Sequence, residues 1–348
     1  MKIEKAILFI SFITATLLLF LIPAQTNALT LSPPRIELEG DPGTTITGKI
    51  KLINEQKEDK TFYSSFGNFE AKGETGTPSF VENGEDLAGW ISTETKVSIK
   101  QGEEVIVPFS ISIPKNAEPG GHFAGIFWGT IPPQNAQLSI GAKVTSLVLL
   151  RVSGDIKEGG GILEFDTKNK QKLFTSLPVE FYYRFQNTGD DRAKPIGEIK
   201  MKNILGFTSK KLDANISEGN VLPHSTRRFS VIWGDEEHLY PNEVDDGFIQ
   251  KYWNGVKREW HNFALGRYSA KLNFIYGSQN TSVFAKTTLW VLPWHLLLLI
   301  LIILLIVILL GRREVLKYNE WVVKNAMKHI KNAHETIKKI GNSNKPRI

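Results

Sequence analysis

The stretch Gly43-Thr44-Thr45-Ile46-Thr47-Gly48-Lys49-Ile50 has the spacing of a phosphate-binding loop as far as its lysine, which would reach the phosphates of a nucleotide. Ile50 stands where a Ser or Thr must hold the magnesium ion. A period-two pattern follows where a helix N-terminus would have to face the phosphates. The segment therefore reads as a turn entering a strand. Seven histidines, His122, His224, His238, His261, His295, His329 and His334, form no H-E-x-x-H pair. Two acidic runs, Asp235-Glu236-Glu237-His238 and Glu243 with Asp245 and Asp246, are dense enough for a metal, but solvated loop acids are the ordinary meaning of such runs. No G-x-S-x-G elbow is present, and the adjacent carboxylates Asp190 and Asp191 follow a strand turn, a solubilising position more often than a catalytic pair. No catalytic residue, metal or cofactor is expected, which leaves binding.

Two stretches have the residue types of a binding surface. Between Gly234 and Gly266 the chain is too long for a hairpin loop and carries Tyr240, Phe248, Tyr252, Trp253 and Trp260 among acids. Amphipathic aromatics on a long loop suit a protein partner or the face of a sugar ring. The alternative is a small inserted helix near residues 244 to 253 whose aromatics cover a sandwich edge. The second stretch runs from Gly120 to Trp128, where Gly121, His122 and Gly125 alternate with large residues, so that a ligand or another backbone could approach a strand closely. Its alternative is a core strand with Phe127 inward.

The elements that must position these residues are strands. From Leu31 to Val152 short apolar-patterned runs alternate with turn residues at the spacing of a sandwich. Ser32-Pro33-Pro34 opens extended, because proline fixes φ and moves its predecessor out of the helical region. Pro42-Gly43 then turns into a strand in which Ile46, Ile50 and Leu52 share one face. Further strands are expected near residues 61–69, 97–99, 104–113, 121–128 and 143–152, with no helix in this unit. After Gly159-Gly160-Gly161 a second set is expected near 162–166, 179–187, 196–202, 226–233, 267–276 and 282–291. In it Phe181, Tyr183 and Phe185 alternate with Tyr182, Arg184 and Gln186.

Both ends read as membrane signals. Lys2 and Lys5 precede an apolar run to Ile22, with small residues around Thr26, Asn27 and Ala28, the order of a cleaved secretory signal. Leu296 to Leu310 are fifteen consecutive Leu, Ile and Val residues. With Pro293, Trp294 and His295 they make a helix of ~27 Å at ~1.5 Å per residue. Trp290 and Trp294 suit an aromatic belt, and Arg312 and Arg313 a cytoplasmic flank. The formal charge of +6 divides unevenly: residues 311–348 carry 10 basic against 3 acidic residues, while residues 29–310 carry 30 against 32. A nearly neutral middle gives no support to nucleic-acid binding. In the tail Val323, Met327, Ile330, Ile337 and Ile340 recur at helical spacing between lysines, a basic amphipathic helix suited to the anionic inner leaflet or a cytoplasmic partner. With no cysteine in 348 residues, disulfides and a lipoprotein anchor are excluded.

The order Pro33-Pro34-Arg35, Asp41-Pro42-Gly43, Asn54, Trp90-Ile91, Gln101-Gly102-Glu103 and Pro114, then Pro119-Gly120-Gly121-His122-Phe123-Ala124-Gly125-Ile126, resembles the first domain of the WxL-interacting proteins. Asn187 with Gly189, Val221-Leu222-Pro223 to Trp233, Gly266-Arg267-Tyr268 and Trp290-Val291-Leu292-Pro293 are similar in outline to the second. The resemblance implies two immunoglobulin-like domains, a first one of peptidoglycan-binding type, a WxL-type surface protein partner, and a C-terminal membrane helix. The tail after Gly311 is longer than the resemblance implies.

Together these readings predict an all-β protein of two tandem immunoglobulin-like antiparallel β-sandwich domains followed by one transmembrane helix and a cytoplasmic amphipathic helix. The parts are residues 1–28 (signal peptide), 29–156 (first sandwich), 160–292 (second sandwich), 293–311 (membrane helix, in contact with lipid) and 312–348 (basic tail). Residues 29–292 are expected outside a single-pass type I membrane protein. The expected function is non-catalytic attachment to peptidoglycan or a surface protein. The alternatives are a membrane-tethered, chaperone-like assembly protein for exported subunits, or a receptor with the tail as effector.

Overall fold

The computed structural model of the chain describes residues 29–81, 85–132, 143–235 and 247–343. The expected signal peptide lies outside the described residues, as do Tyr240 and most of the acidic run around it.

The first unit contains β1 (Leu29–Ser32), β2 (Arg35–Gly40), β3 (Thr45–Asn54), β4 (Lys60–Ala71), β5 (Pro78–Val81), a one-turn helix α1 (Leu87–Trp90), β6 (Ile91–Thr93), β7 (Lys96–Ile99), β8 (Glu104–Ser112), β9 (Gly120–Gly129) and β10 (Lys143–Val152). One sheet has the order β1-β3-β8-β6 and the other β2-β10-β9-β4-β5, with β7 also on β4. Pro33 and Pro34 are the point at which the chain leaves the first sheet for the second. Neither can donate to a ladder, and β2 resumes parallel to β10. That switch, with the two sheet orders, is an immunoglobulin-like arrangement.

The even positions of β3 face inward as their alternation predicts, with Ile50 and Leu52 buried against Val107, Ile111, Trp128 and Leu150. Two expectations for this unit are corrected. A helical turn does occur, because Asn68 in β4 accepts the backbone N–H of Ala88 at 2.8 Å and holds Leu87 in the core. In β9 the inward row is Ala124, Ile126 and Trp128, whereas Phe127 lies on the other face against Phe80, with ring centroids 4.7 Å apart. A strand buried on both faces leaves no alternation to read.

The second unit repeats the plan. It comprises β11 (Gly160–Thr167), a 3-10 turn (Lys168–Lys170), β12 (Leu173–Phe174), β13 (Val179–Asn187), β14 (Ile196–Lys202), β15 (Thr208–Asp213), β16 (Thr226–Trp233), α2 (Phe248–His261), β17 (Gly266–Tyr276) and β18 (Thr281–Val291). Its sheets run β11-β13-β16 and β12-β18-β17-β14-β15, and β12 again lies parallel to the last strand. Phe181, Tyr183 and Phe185 are fully buried in a separate core with Phe274 and Leu289, and Tyr183 stacks on Phe229 at 4.9 Å.

The chain ends in α3 (Trp294–Ser343), one unbroken helix of 50 residues. It is long and apolar enough to cross a membrane, and its apolar run is exposed rather than buried in protein. The helix runs through Gly311 without a break, so the tail expected as a helix of its own continues the apolar one. A single helical glycine costs only about 1 kcal/mol, and no capping residue or proline follows it. Lys317 instead pairs with Glu314 one turn back, at 2.6 Å.

Candidate functional site

The sandwiches meet over the outer face of the β2-β10-β9-β4-β5 sheet. Phe69, Phe123 and Leu149 of that face cluster with Leu222 of the second unit, an apolar patch outside both main cores. The segment between β4 and β5 reaches across as a strap. Glu74 takes a two-pronged ion pair from Arg184, with Nε to Oε2 at 2.8 Å, and its carbonyl accepts the N–H of Arg228 at 2.8 Å. At the opposite side Arg151 donates to Asp191 at 2.7 Å, and the N–H of Gly121 donates to the carbonyl of Asp190 at 2.9 Å. Asp190 and Asp191, read from sequence as loop acids, are therefore part of the junction, and Asp191 is buried.

Between strap and patch lies a cleft of about 220 Å³. Its apolar wall is Phe69, Leu147, Leu149 and Leu222, and its charged lining residues are Arg35 and Arg227. Arg35, at the start of β2, has a counter-ion in Glu37 at 3.2 Å and donates to the carbonyl of Glu218 at 2.9 Å. Burial works against the charge of Glu37, but a hydrogen bond from Asn220 and the charges of Lys194, Arg192 and Arg35 outweigh it and hold its carboxyl below the usual range.

Arg227, near the start of β16, differs. It donates to the carbonyl of Asn220 at 2.9 Å and lies over the Phe229 ring at 5.1 Å. Among the described residues no carboxylate is within ion-pair distance of it, and its buried Nε has no hydrogen-bond partner. Burial lowers its pKa and the charge of Arg35 lowers it further. Gly76 and Gly219 make room for the guanidinium: a Cβ on either would stand 2.3 and 2.8 Å from its Cζ. The Oδ1 of buried Asn220 is likewise without a partner. The cleft is thus lined by a cation without a counter-ion among the described residues and by an asparagine, whose enclosed Nε and Oδ1 lack partners, beside an apolar wall. Buried polar groups are ordinarily satisfied, so the pair suits an incoming carboxylate and an amide N–H.

The residues singled out from sequence are distributed otherwise. Gly121, His122 and Gly125 lie on β9, where packing accounts for their types. A Cβ on Gly125 would come within 2.8 Å of the Phe80 ring. His122 bonds the Asp86 carboxylate at 2.6 Å and the carbonyl of Glu118 at 2.9 Å, against Trp90. Burial lowers its pKa, but the bonds to Asp86 and Glu118 prevail and raise it above 6.5. A raised folded-state value means that the pair stabilises the fold fully below the unfolded value of about 6.5, and that this part is lost as pH rises through the folded value. The advantage of the natural chain over His122→Gln in urea midpoint is therefore expected to shrink from mildly acid to mildly alkaline pH. A difference independent of pH would contradict the pairing.

Phe248, Tyr252, Trp253 and Trp260 lie on α2 of the second unit, beside the start of α3 and apart from the β9 residues. The small-helix alternative holds in kind, but the helix is later, and Phe248, Trp253 and Trp260 are exposed rather than covering a sandwich edge. Of the two acidic runs considered for metal, Asp235 alone is described, and no group of metal-ligating side chains occurs among the described residues. Arg35 enters the sequence reading only within Pro33-Pro34-Arg35, with no role attached, and Asn220 and Arg227 carry no signal beyond their types, since strand arginines and a loop asparagine are common.

The fold and cleft define an all-β, immunoglobulin-like sandwich protein with one C-terminal apolar helix. No family model and no curated protein matches the sequence. Among solved structures the chain is similar to the class 5 fimbriae chaperone CfaA, at 11% identity and a TM-score of 0.37 over 75% of this chain and 99% of that one. It is also similar to the CsuC–CsuE chaperone–tip adhesion subunit complex of Acinetobacter baumannii (14%, TM-score 0.32, 58% and 89%) and to the E. coli chaperone DraB (12%, TM-score 0.31, 76% and 98%). Similarity of this degree carries no argument about function.

Proposed function

We propose that this chain is a non-catalytic, single-pass membrane protein whose two exported sandwich units hold an exported polypeptide in the cleft between them, in the manner of a membrane-tethered assembly or chaperone-like protein. The observation that carries the reading is the buried, unpaired Nε of Arg227 beside the unpaired Oδ1 of Asn220 and an apolar wall. A carboxylate followed by a peptide N–H and an apolar side chain satisfies all three at once. A plain anion leaves the acceptor and the wall unused.

The test places a photo-crosslinking residue at Leu222 of the full chain in its own membrane, with and without Arg227→Gln. Adducts with exported polypeptides are expected, reduced roughly tenfold or more by Arg227→Gln, since a charge-assisted hydrogen bond is worth about 1.5–3 kcal/mol. An unchanged thermal midpoint shows that the variant folds. Adducts indifferent to Arg227→Gln would sink the proposal. Saturable pelleting of the full chain with peptidoglycan sacculi, without such adducts, would favour the attachment role implied by the resemblance to the WxL-interacting proteins.

A further inference from the structure

Large exposed apolar side chains gather at the α3 end of the second unit. On α2, Ile249, Trp253 and Trp260 fall on one stripe beside the face formed by Tyr252, Gly255, Val256 and Glu259, which grips α3. Ile249 is 73% and Trp260 75% exposed, and Phe263 follows directly. Sheet register brings a second group to the same end. Lys202, the last residue of β14, pairs with Ser269, which pairs with Thr288 three residues before β18 ends at Val291. The β14–β15 hairpin therefore points its tip toward α3, and that tip is Ile204, Leu205 and Phe207, each about 70% exposed. On the other side of β18, exposed Leu173 pairs with exposed Trp290.

Three separate chain segments thus form an apolar collar around the point where α3 leaves the sandwich. The depth of α2 is set by direct bonds. Glu259, whose side chain is fully buried, accepts the N–H of Leu296 at 2.9 Å and bonds the His295 ring at 2.5 Å. The Tyr252 hydroxyl donates to the carbonyl of His295 at 2.9 Å. Leu296 begins the apolar run, so α2 is held level with the first turn of the span. Lys251, Lys257 and Arg258 give α2 basic charge, while its one acid, Glu259, is turned inward. Apolar aromatics and cations at the mouth of a membrane helix match the boundary between acyl chains and anionic headgroups.

We infer that α2 and the β14–β15 tip are a membrane-docking collar, which sets the second unit down on the leaflet that α3 enters, with Ile249, Trp253, Trp260, Leu205 and Phe207 in the lipid interface. The inference rests on α3 spanning the membrane and is independent of what occupies the cleft. The absence of cysteine makes it directly testable. Full-length chain bearing a single spin label at Leu205→Cys, Ile249→Cys or Trp260→Cys is reconstituted into mixed phosphatidylcholine–phosphatidylglycerol vesicles. Collision rates are measured with a water-soluble nickel complex and with lipid-soluble oxygen. A label at Leu304→Cys reports whether α3 spans, and labels at Ile106→Cys and Phe284→Cys, exposed far from the collar, report water access.

The expected result is collision with nickel on the order of tenfold lower at the three collar sites than at the two distant ones, with oxygen access retained, as for groups seated in the interface. A lipid-exposed label at Leu304→Cys together with collar labels as water-accessible as Ile106→Cys would overturn the collar while leaving the span intact. Collar labels shielded from both reagents would overturn it in favour of protein contact, including a second copy of this chain.

Discussion

Gly120→Val will lower the stability of the chain by about 3 kcal/mol or more and break the junction between the units. Gly120 has φ of +127°, a region that β-branched residues hold only at a cost of order 1–3 kcal/mol. A Cβ at this position would also stand 2.5 Å from the carbonyl oxygen of Asp190 in the second unit, a backbone atom that no rotamer change can move. Overpacking of that kind costs a further ~1–3 kcal/mol or separates the partners. Separation would break the bond from the N–H of Gly121 to that same carbonyl and disturb the neighbouring Arg151–Asp191 pair. The urea midpoint followed by tryptophan emission measures the loss. Gly161→Val is the control, because nothing lies within 4 Å of a Cβ there. Equal midpoints for the two variants would mean that the units are not in contact at Gly120.

Glu259→Leu is expected to detach α2 from α3 while both sandwich cores stay folded. The carboxylate serves two N–H groups in the first turn of a helix, where backbone donors have no partner inside the helix and negative charge is favoured. Leucine leaves those donors and the His295 ring buried without acceptors, at about 1–3 kcal/mol for each group stranded. Amides of residues 248–261 should then exchange with solvent roughly tenfold faster for every ~1.4 kcal/mol lost, while those of β13 and β17 keep their protection. Glu259→Gln, which retains one oxygen acceptor, should fall between the two. Unchanged exchange in α2 would show that its aromatics alone hold it. The same variant bears on the proposed collar, since a detached α2 can rest on lipid but no longer fixes the angle of the second unit to α3.

Regular alternation and long apolar runs are legible in the sequence alone. Phe181, Tyr183 and Phe185 announce the inner face of β13, and Leu296 to Leu310 announce a helix that no soluble core needs. Legibility fails where a segment is buried on both faces or held by distant partners. β9 is apolar on each side because one face meets its own sandwich and the other the patch under the strap, so Phe127 was assigned the wrong direction. The short strands β1, β5 and β12 have too few residues to show a period, and they form because a neighbouring edge is available. The helix continues past Gly311 because glycine alone is a weak helix stop.

What the sequence by itself determined is a strand-rich chain with one long apolar helix near its C-terminus, since those follow from side-chain periods of two residues and from a run too apolar for water. The aromatics of α2 were legible as an unusual surface, though not what they face. Only the tertiary structure decided the site. Arg35 and Arg227 are 192 positions apart and meet because β2 and β16 belong to sandwiches joined through Asp190, Asp191 and Glu74. Whether an arginine has a counter-ion depends on which carboxylates the fold brings near it, and Glu37 goes to Arg35 while none among the described residues reaches Arg227. Periods are local properties of the chain; unpaired charge is a property of the packed whole.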